Sequence, residues 1–261
     1  MSIKLACIQM GATGTWAENV QRAVTMMRST DAEFIVLPEL FNYCKDFRTG
    51  EPIPGRTTEV FTALARERGV YIVMGSILEV EVETQPSVTV SPLLYNTSIL
   101  IDPSGSIVAK YRKIHLFAYH SRERYFLQPG QDIIVADTDI GTVGLSICYD
   151  IRFPELYRAL IKRGAEIIVC PAAWPYPRLE HWVTFNKARS IEEQCYFVSC
   201  NQVGAPLQTQ TFLGHSMIVD PWGTVVASGG DRETVVEGKI DVEFVRKIRS
   251  EYTFLEDIVE L

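Results

Sequence analysis

One cysteine in this chain stands where a nucleophile would. The segment Gly144-Leu145-Ser146-Ile147-Cys148-Tyr149-Asp150-Ile151-Arg152-Phe153-Pro154-Glu155 runs as an apolar strand into Cys148, then breaks into charge, an aromatic residue and a proline. Pro154 suits the first turn of a helix, and the apolar spacing from Glu155 to Lys162 continues it, which sets Cys148 near a helix N-terminus. That position lowers a thiol's pKa and exposes it to substrate. The competing reading is a core cysteine, because free cysteine packs as a small apolar side chain and the chain has six of them.

Three charged residues interrupt other apolar runs. Glu39 follows Phe34-Ile35-Val36-Leu37-Pro38, so its carboxylate must be paired, protonated or working, unless it is a strand-end charge reaching solvent. Lys113 lies in Tyr111-Arg112-Lys113-Ile114-His115-Leu116-Phe117; taken alone, a lysine there is most often at the surface. Glu123 sits between Arg122 and Arg124, where an exposed ion pair of little energetic consequence is the plain alternative. Together the set describes a reaction. Attack on an amide carbonyl needs a nucleophile, a base that later returns its proton to the leaving nitrogen, and a positive group where the oxyanion develops. Cys148, Glu39 and Lys113 supply one of each. Two other classes remain open. Gly144-x-Ser146-x-Cys148 is a near miss of a serine-hydrolase elbow, although no Asp and His follow in recognisable contexts. A non-catalytic interaction protein is the third, and the complete set of reactive groups argues against it.

These residues must be positioned by elements that the periodicity locates. Strands are expected near 3–9, 33–37, 70–78, 94–101, 106–112, 141–148, 166–170, 195–201, 214–219 and 224–228. Helices are expected near 16–29, 57–68, 154–163, 178–194 and 242–250. The order recurs. Ala32-Glu33-Phe34-Ile35-Val36-Leu37-Pro38 is echoed by Ala165-Glu166-Ile167-Ile168-Val169-Cys170-Pro171, and Val70-Tyr71-Ile72-Val73 by Cys195-Tyr196-Phe197-Val198. The hairpin around Asp102-Pro103-Ser104-Gly105 is echoed by the one around Asp220-Pro221-Trp222-Gly223, both with Asp-Pro-x-Gly turn chemistry. Three echoes in register imply an α/β fold of two stacked half-units, a four-layer α-β-β-α sandwich with an internal pseudo-two-fold repeat. Catalytic groups of such folds gather at strand carboxyl ends, which selects Glu39 and Cys148 and leaves Ala172 where Glu39 stands in the other half.

Composition narrows the partners. A 261-residue chain that is 47% hydrophobic fills a large core, and no linker divides it, so 1–261 is expected to be one domain. A formal charge of −7 offers no basic footprint, which argues against nucleic acid or an anionic membrane as partner and for a small molecule. The first ten residues lack the length and flanks of a signal peptide, and no later run reaches a membrane span, so a cytoplasmic protein is expected. The cysteines form no Cys-x-x-Cys pair and the four histidines show no ligand spacing, so neither a metal nor a disulfide framework is indicated.

At this point the sequence resembles a family. Leu37-Pro38-Glu39-Leu40, Tyr111-Arg112-Lys113-Ile114-His115-Leu116 and Cys148-Tyr149-Asp150-Ile151-Arg152-Phe153-Pro154-Glu155 are similar to three signature blocks of the nitrilase, or carbon-nitrogen hydrolase, superfamily. Ala188-Arg189-Ser190-Ile191-Glu192 and the segment from Gly214 to Gly223 also match its later parts. The resemblance implies a Glu-Lys-Cys triad on an α-β-β-α sandwich, assembled as a homodimer or higher homo-oligomer and using no cofactor. It makes Glu39 the general base and acid, Lys113 the oxyanion stabiliser and Cys148 the nucleophile. Glu123, ahead of Pro129-Gly130, fits the family's second glutamate, and the Tyr149 N–H would complete the oxyanion hole. Tyr149-Asp150 in place of Trp-Glu after the nucleophile points to amidases rather than nitrilases, closest to omega-amidases and deaminated-glutathione amidases. Amidohydrolysis of N-carbamoyl compounds and nitrile hydrolysis are the alternatives on the same fold. Arg152 would hold a substrate carboxylate, or else pair with Glu155 or another acid. Tyr43, Phe117, Tyr119 and Trp174 are further candidates for the pocket wall, with aromatic core packing as the alternative.

Overall fold

The computed structural model describes residues 2–42, 50–81, 93–119, 121, 123–207 and 210–259. The first half runs β1 (Ser2–Gln9), α1 (Trp16–Arg28), β2 (Phe34–Val36), α2 (Arg56–Arg68), β3 (Tyr71–Val73), β4 (Ile77–Val80), β5 (Leu94–Ile101) and β6 (Ile107–Arg112). A single helical turn, α3 (Glu123–Phe126), leads into β7 (Val135–Thr138) and β8 (Gly141–Leu145). Next come α4 (Pro154–Lys162), β9 (Ile167–Ala172), α5 (Leu179–Glu193), β10 (Tyr196–Asn201), β11 (Val203–Leu207) and β12 (Gln210–Leu213). The chain closes with β13 (Met217–Val219), β14 (Val225–Ser228), β15 (Thr234–Asp241) and α6 (Val242–Glu251).

The strands form two large sheets whose orders repeat one another. In one, β1, β2 and β3 are parallel neighbours, followed by antiparallel β5 and β6. In the other, β8, β9 and β10 are parallel neighbours, followed by antiparallel β13 and β14. Each series is closed on its far side by an antiparallel strand, β15 beside β1 and β7 beside β8. The hairpins match in detail. Asp102 Oδ1 accepts the Ser106 N–H and Asp220 Oδ1 the Thr224 N–H, each at 2.9 Å, while Gly105 and Gly223 take positive φ of 82° and 78°. Only glycine adopts that backbone cheaply, which is why both turns carry it.

Alternation on the strands builds the layers. Leu5, Cys7 and Val36 face the second sheet and share a core with Val143 and Leu145. Ala6, Ile8, Ile35 and Ile72 point the other way, against Val20, Met27, Phe61 and Leu64 of α1 and α2. Beyond the second sheet, Phe197 meets Tyr157 of α4, and Ser199 bonds Asn186 of α5. The architecture is thus the α-β-β-α sandwich implied by the repeat. Local signals explain the helices: Thr15 and Glu18 form a capping box at the start of α1, Gly69 ends α2 in the left-handed conformation, and Pro154 opens α4. One expected strand, 70–78, is two: Gly75 at φ 56° turns the chain between β3 and β4. Strands β7, β11, β12 and β15 were not among the expected ones.

Candidate active site

Glu39 and Cys148 each lie three residues beyond a central parallel strand, β2 and β8, and Lys113 directly follows β6. Two tight backbones aim the first pair. Leu40, next to Glu39, and Cys148 itself take φ of 49° and 48°, a conformation that costs a non-glycine residue on the order of 1 kcal/mol. Neighbouring groups hold these turns: Ser76 Oγ accepts the Leu40 N–H at 3.1 Å, and Asp150 Oδ2 accepts the Ile147 N–H at 2.9 Å. Asp150 is wholly buried and also accepts the Tyr111 hydroxyl at 2.7 Å and the His115 N–H at 3.0 Å. One carboxylate therefore ties the turn of Cys148 to both flanks of Lys113.

The charged groups converge. Lys113 Nζ lies 2.8 Å from Glu39 Oε1 and 3.0 Å from Glu123 Oε1, and all three side chains are buried. Asn96 Nδ2 donates to Glu39 Oε1 at 2.8 Å and to Glu123 Oε1 at 3.2 Å. The Ala173 N–H donates to Glu39 Oε2 at 2.8 Å, and the Phe117 N–H to Glu123 Oε2 at 2.7 Å. The Cys148 thiol interacts with the Glu39 carboxyl, the Ala173 N–H and the charge of Lys113. Burial works to lower the Lys113 pKa, yet Glu123 and Glu39 together hold it well above the ordinary lysine value. Burial, with Glu39 and against Lys113, raises Glu123 above the usual carboxylate value.

For Cys148 the expected direction is reversed. Burial, reinforced by Glu39 and opposed by Lys113, pushes the thiol well above its ordinary pKa. The residue is only 7% exposed and opens a five-residue 3-10 turn, Cys148–Arg152, rather than α4, so a helix dipole has little hold on it. A thiol raised in this way is protonated at neutral pH, so attack by it would need an adjacent base to take the proton.

The aromatic candidates fall around this centre. Phe117 and Phe153 both meet Tyr149 edge-on, at 5.0 and 5.3 Å. Trp174 is buried against Trp182, and the Arg152 guanidinium lies 4.7 Å from the Trp174 ring and 5.2 Å from Phe185. Arg152 forms no ion pair among the described residues, with Glu155 or any other acid; its one polar side-chain contact is His181 Nδ1 at 3.3 Å. Tyr43 lies outside the described residues. Ser146 is wholly buried and spent on structure, donating to Val169 O and accepting from Tyr157, which removes it as a nucleophile.

Sequence reasoning did not find Asn96, Asp150 or the Ala173 N–H. Asn96 is the first of three consecutive polar residues, Asn96-Thr97-Ser98, all buried in β5, so its sequence neighbourhood does not single it out. In the sequence Gly130 stands out only through the Pro129-Gly130 pair. Its N–H donates to Lys113 O at 2.9 Å, and a Cβ there would stand 2.1 Å from Arg112 O.

Comparison with known proteins places this arrangement. A family model described as carbon-nitrogen hydrolase matches residues 4–250, and the chain belongs to that family. Among its relatives, 2-oxoglutaramate amidase of Bacillus subtilis is 34% identical, with 99% of this chain and 98% of that protein covered. Omega-amidase NIT2 of Homo sapiens is 33% identical over 96% of this chain and 92% of that protein. Among solved structures, Nit3 of Saccharomyces cerevisiae, described as a member of branch 10 of the nitrilase superfamily, superposes with a TM-score of 0.85 at 30% identity. It matches 96% of this chain and 94% of that one.

Proposed function

We propose that the protein is a thiol amidohydrolase that cleaves the carboxamide of a small acid and releases ammonia. The observation that carries the reading is the buried Lys113 ammonium held between Glu39 and Glu123 beside the Cys148 thiol. Glu39 takes the Cys148 proton as sulfur attacks the carbonyl carbon. Lys113 and the Tyr149 N–H hold the oxyanion that forms. As the intermediate collapses, Glu39 returns the proton to nitrogen, the C–N bond breaks, ammonia leaves and a thioester remains. Glu39 then deprotonates water, which attacks the thioester and frees the carboxylic acid and the thiol. Glu123 fixes Lys113 and orients the amide. The chemistry runs on these side chains without a metal or organic cofactor.

The acid half of the substrate is read by Arg152. A guanidinium with aromatic rings on its faces and no carboxylate partner among the described residues is suited to a bidentate contact with a substrate carboxylate. The names of the relatives, 2-oxoglutaramate amidase and omega-amidase, agree with an amide whose far end is an acid. Residues 1–261 form one domain in this reading, supported by a core that runs through both sheets. No helix of the described residues is long and apolar enough to cross a membrane. The charge of −7 supports a small-molecule partner and no nucleic acid, and the family resemblance supports a homodimer or larger homo-oligomer.

The test is ammonia release from a panel of ω-amides, including 2-oxoglutaramate, with N-carbamoyl amines and nitriles alongside. Wild type turns over an amide, and Cys148→Ala, with an unchanged circular dichroism spectrum, loses at least about 10³-fold of that rate. Amide hydrolysis retained by Cys148→Ala defeats the reading.

A further inference from the structure

Arg152 is not the only unpaired cation at this site. Arg178 precedes α5, and its carbonyl is held by the Trp174 Nε1–H at 3.0 Å and the Trp182 N–H at 3.1 Å. Its guanidinium lies 5.6 Å from the Phe117 ring, the same ring that packs on Tyr149. Like Arg152 it forms no ion pair among the described residues. The two are close enough that the charge of Arg178 works against that of Arg152, whose pKa burial already lowers. Two half-buried arginines on one aromatic wall repel each other, and an anion bound between them would screen both.

The anion belongs to the acid half of the substrate. Glu39, Lys113, Glu123 and Asn96 are all at most 4% exposed, so an anionic group on the leaving nitrogen would have to be desolvated beside two protein carboxyls. Charge beyond the carboxamide must therefore sit on the acyl group, where the arginines are. We infer that this enzyme takes amides whose acyl group carries two anionic groups, the first held by Arg152 and the second by Arg178, which makes Arg178 a specificity-determining residue. The inference rests on the amidohydrolase reading above.

Binding separates the two ideas, because it needs no turnover. In the Cys148→Ala background, calorimetry compares glutarate monoamide, with one carboxylate, and the terminal monoamide of propane-1,2,3-tricarboxylate, with two. The dianion binds at least tenfold more tightly. Arg178→Gln erases that preference by weakening the dianion about tenfold while the monoanion stays within twofold, and Arg178→Lys restores part of it. Arg152→Gln weakens both ligands. A dianion bound no better than the monoanion, or a preference that survives Arg178→Gln, overturns the inference. An equal loss for both ligands in Arg178→Gln does so too, since it marks a structural role. Ammonia release by wild type is scored separately and decides the amidohydrolase reading alone.

Discussion

The Ala173 N–H donates to Glu39 Oε2 at 2.8 Å, and it does so from the position that follows Glu39's own counterpart in the repeat. Pro38-Glu39 ends the β2 unit as Pro171-Ala172 ends the β9 unit. The half without the acid supplies a backbone clamp for the half that has it. Glu39→Gln replaces one acceptor oxygen by an NH2, which cannot take a proton from Cys148 and opposes at least one of the donors Ala173, Asn96 and Lys113. The expected outcome is a loss of ammonia release of at least about 10³-fold with a stability cost of about 1–3 kcal/mol. Steady-state assays and urea denaturation check both, and a variant active within tenfold of wild type removes Glu39 as the base.

Asn96 holds both carboxylates with one amide group. Asn96→Ala leaves Glu39 and Glu123 each short of a buried donor, so the orientation of Lys113 between them loosens. A fall in kcat/KM of about 10²-fold is expected, mostly in kcat, because in the proposed binding mode Arg152 and not Asn96 holds the substrate's acid end. Asn96→Asp sets a third carboxyl against the first two and costs more. Equal activity in Asn96→Ala and wild type removes the bridge from the mechanism.

The repeated fold, and the candidate residues that the structure brings together, were legible because their signals are local. A charge after an apolar strand marks Glu39, and Asp-Pro-x-Gly marks both hairpins. The four missed strands failed for physical reasons: β7 and β15 are half-exposed outer strands with charged residues in them, and β11 and β12 pair mainly with each other. The direction of the Cys148 shift was illegible because burial is a property of the assembled sandwich. Asp150, the third residue of a recognised motif, hid its work: it reaches Tyr111 and His115 across 39 and 35 positions of chain.

Glu79 clamps the strands that carry Asn96 and Lys113. Its carboxylate accepts Arg112 Nε and Nη2 at 2.9 Å, Lys110 Nζ at 2.8 Å and Thr97 Oγ1 at 2.7 Å. Burial works to raise its pKa, but Arg112, Lys110 and Thr97 bring it down to about 2. A depressed carboxyl stabilises the fold above its unfolded value near 4.5 and loses that contribution as pH falls toward about 2. With a discount for the partly exposed cations, Glu79→Gln should cost about 2 kcal/mol at pH 7. Urea midpoints of the two proteins should draw together between pH 5 and 3, by about half that difference. A gap that stays constant over this range shows that the ion pair is not its source.

Glu193 has the opposite sign. It is wholly buried at the end of α5, and burial raises its pKa to about 7 even though Arg158 Nη1 stands 3.1 Å from Oε2. A carboxyl raised in the fold is bound to its proton more tightly there than in the unfolded chain. It therefore destabilises progressively as pH climbs from its unfolded value near 4.5 to about 7, and the full penalty is present above that. Glu193→Gln keeps the shape without the ionisation. The variant should match wild type near pH 4.5 and exceed its stability at pH 8 by about 2–3 kcal/mol, read from urea midpoints at the two pH values. A variant less stable than wild type at pH 8 would mean that Arg158 outweighs burial, and that Glu193 serves the fold as an ion-pair partner.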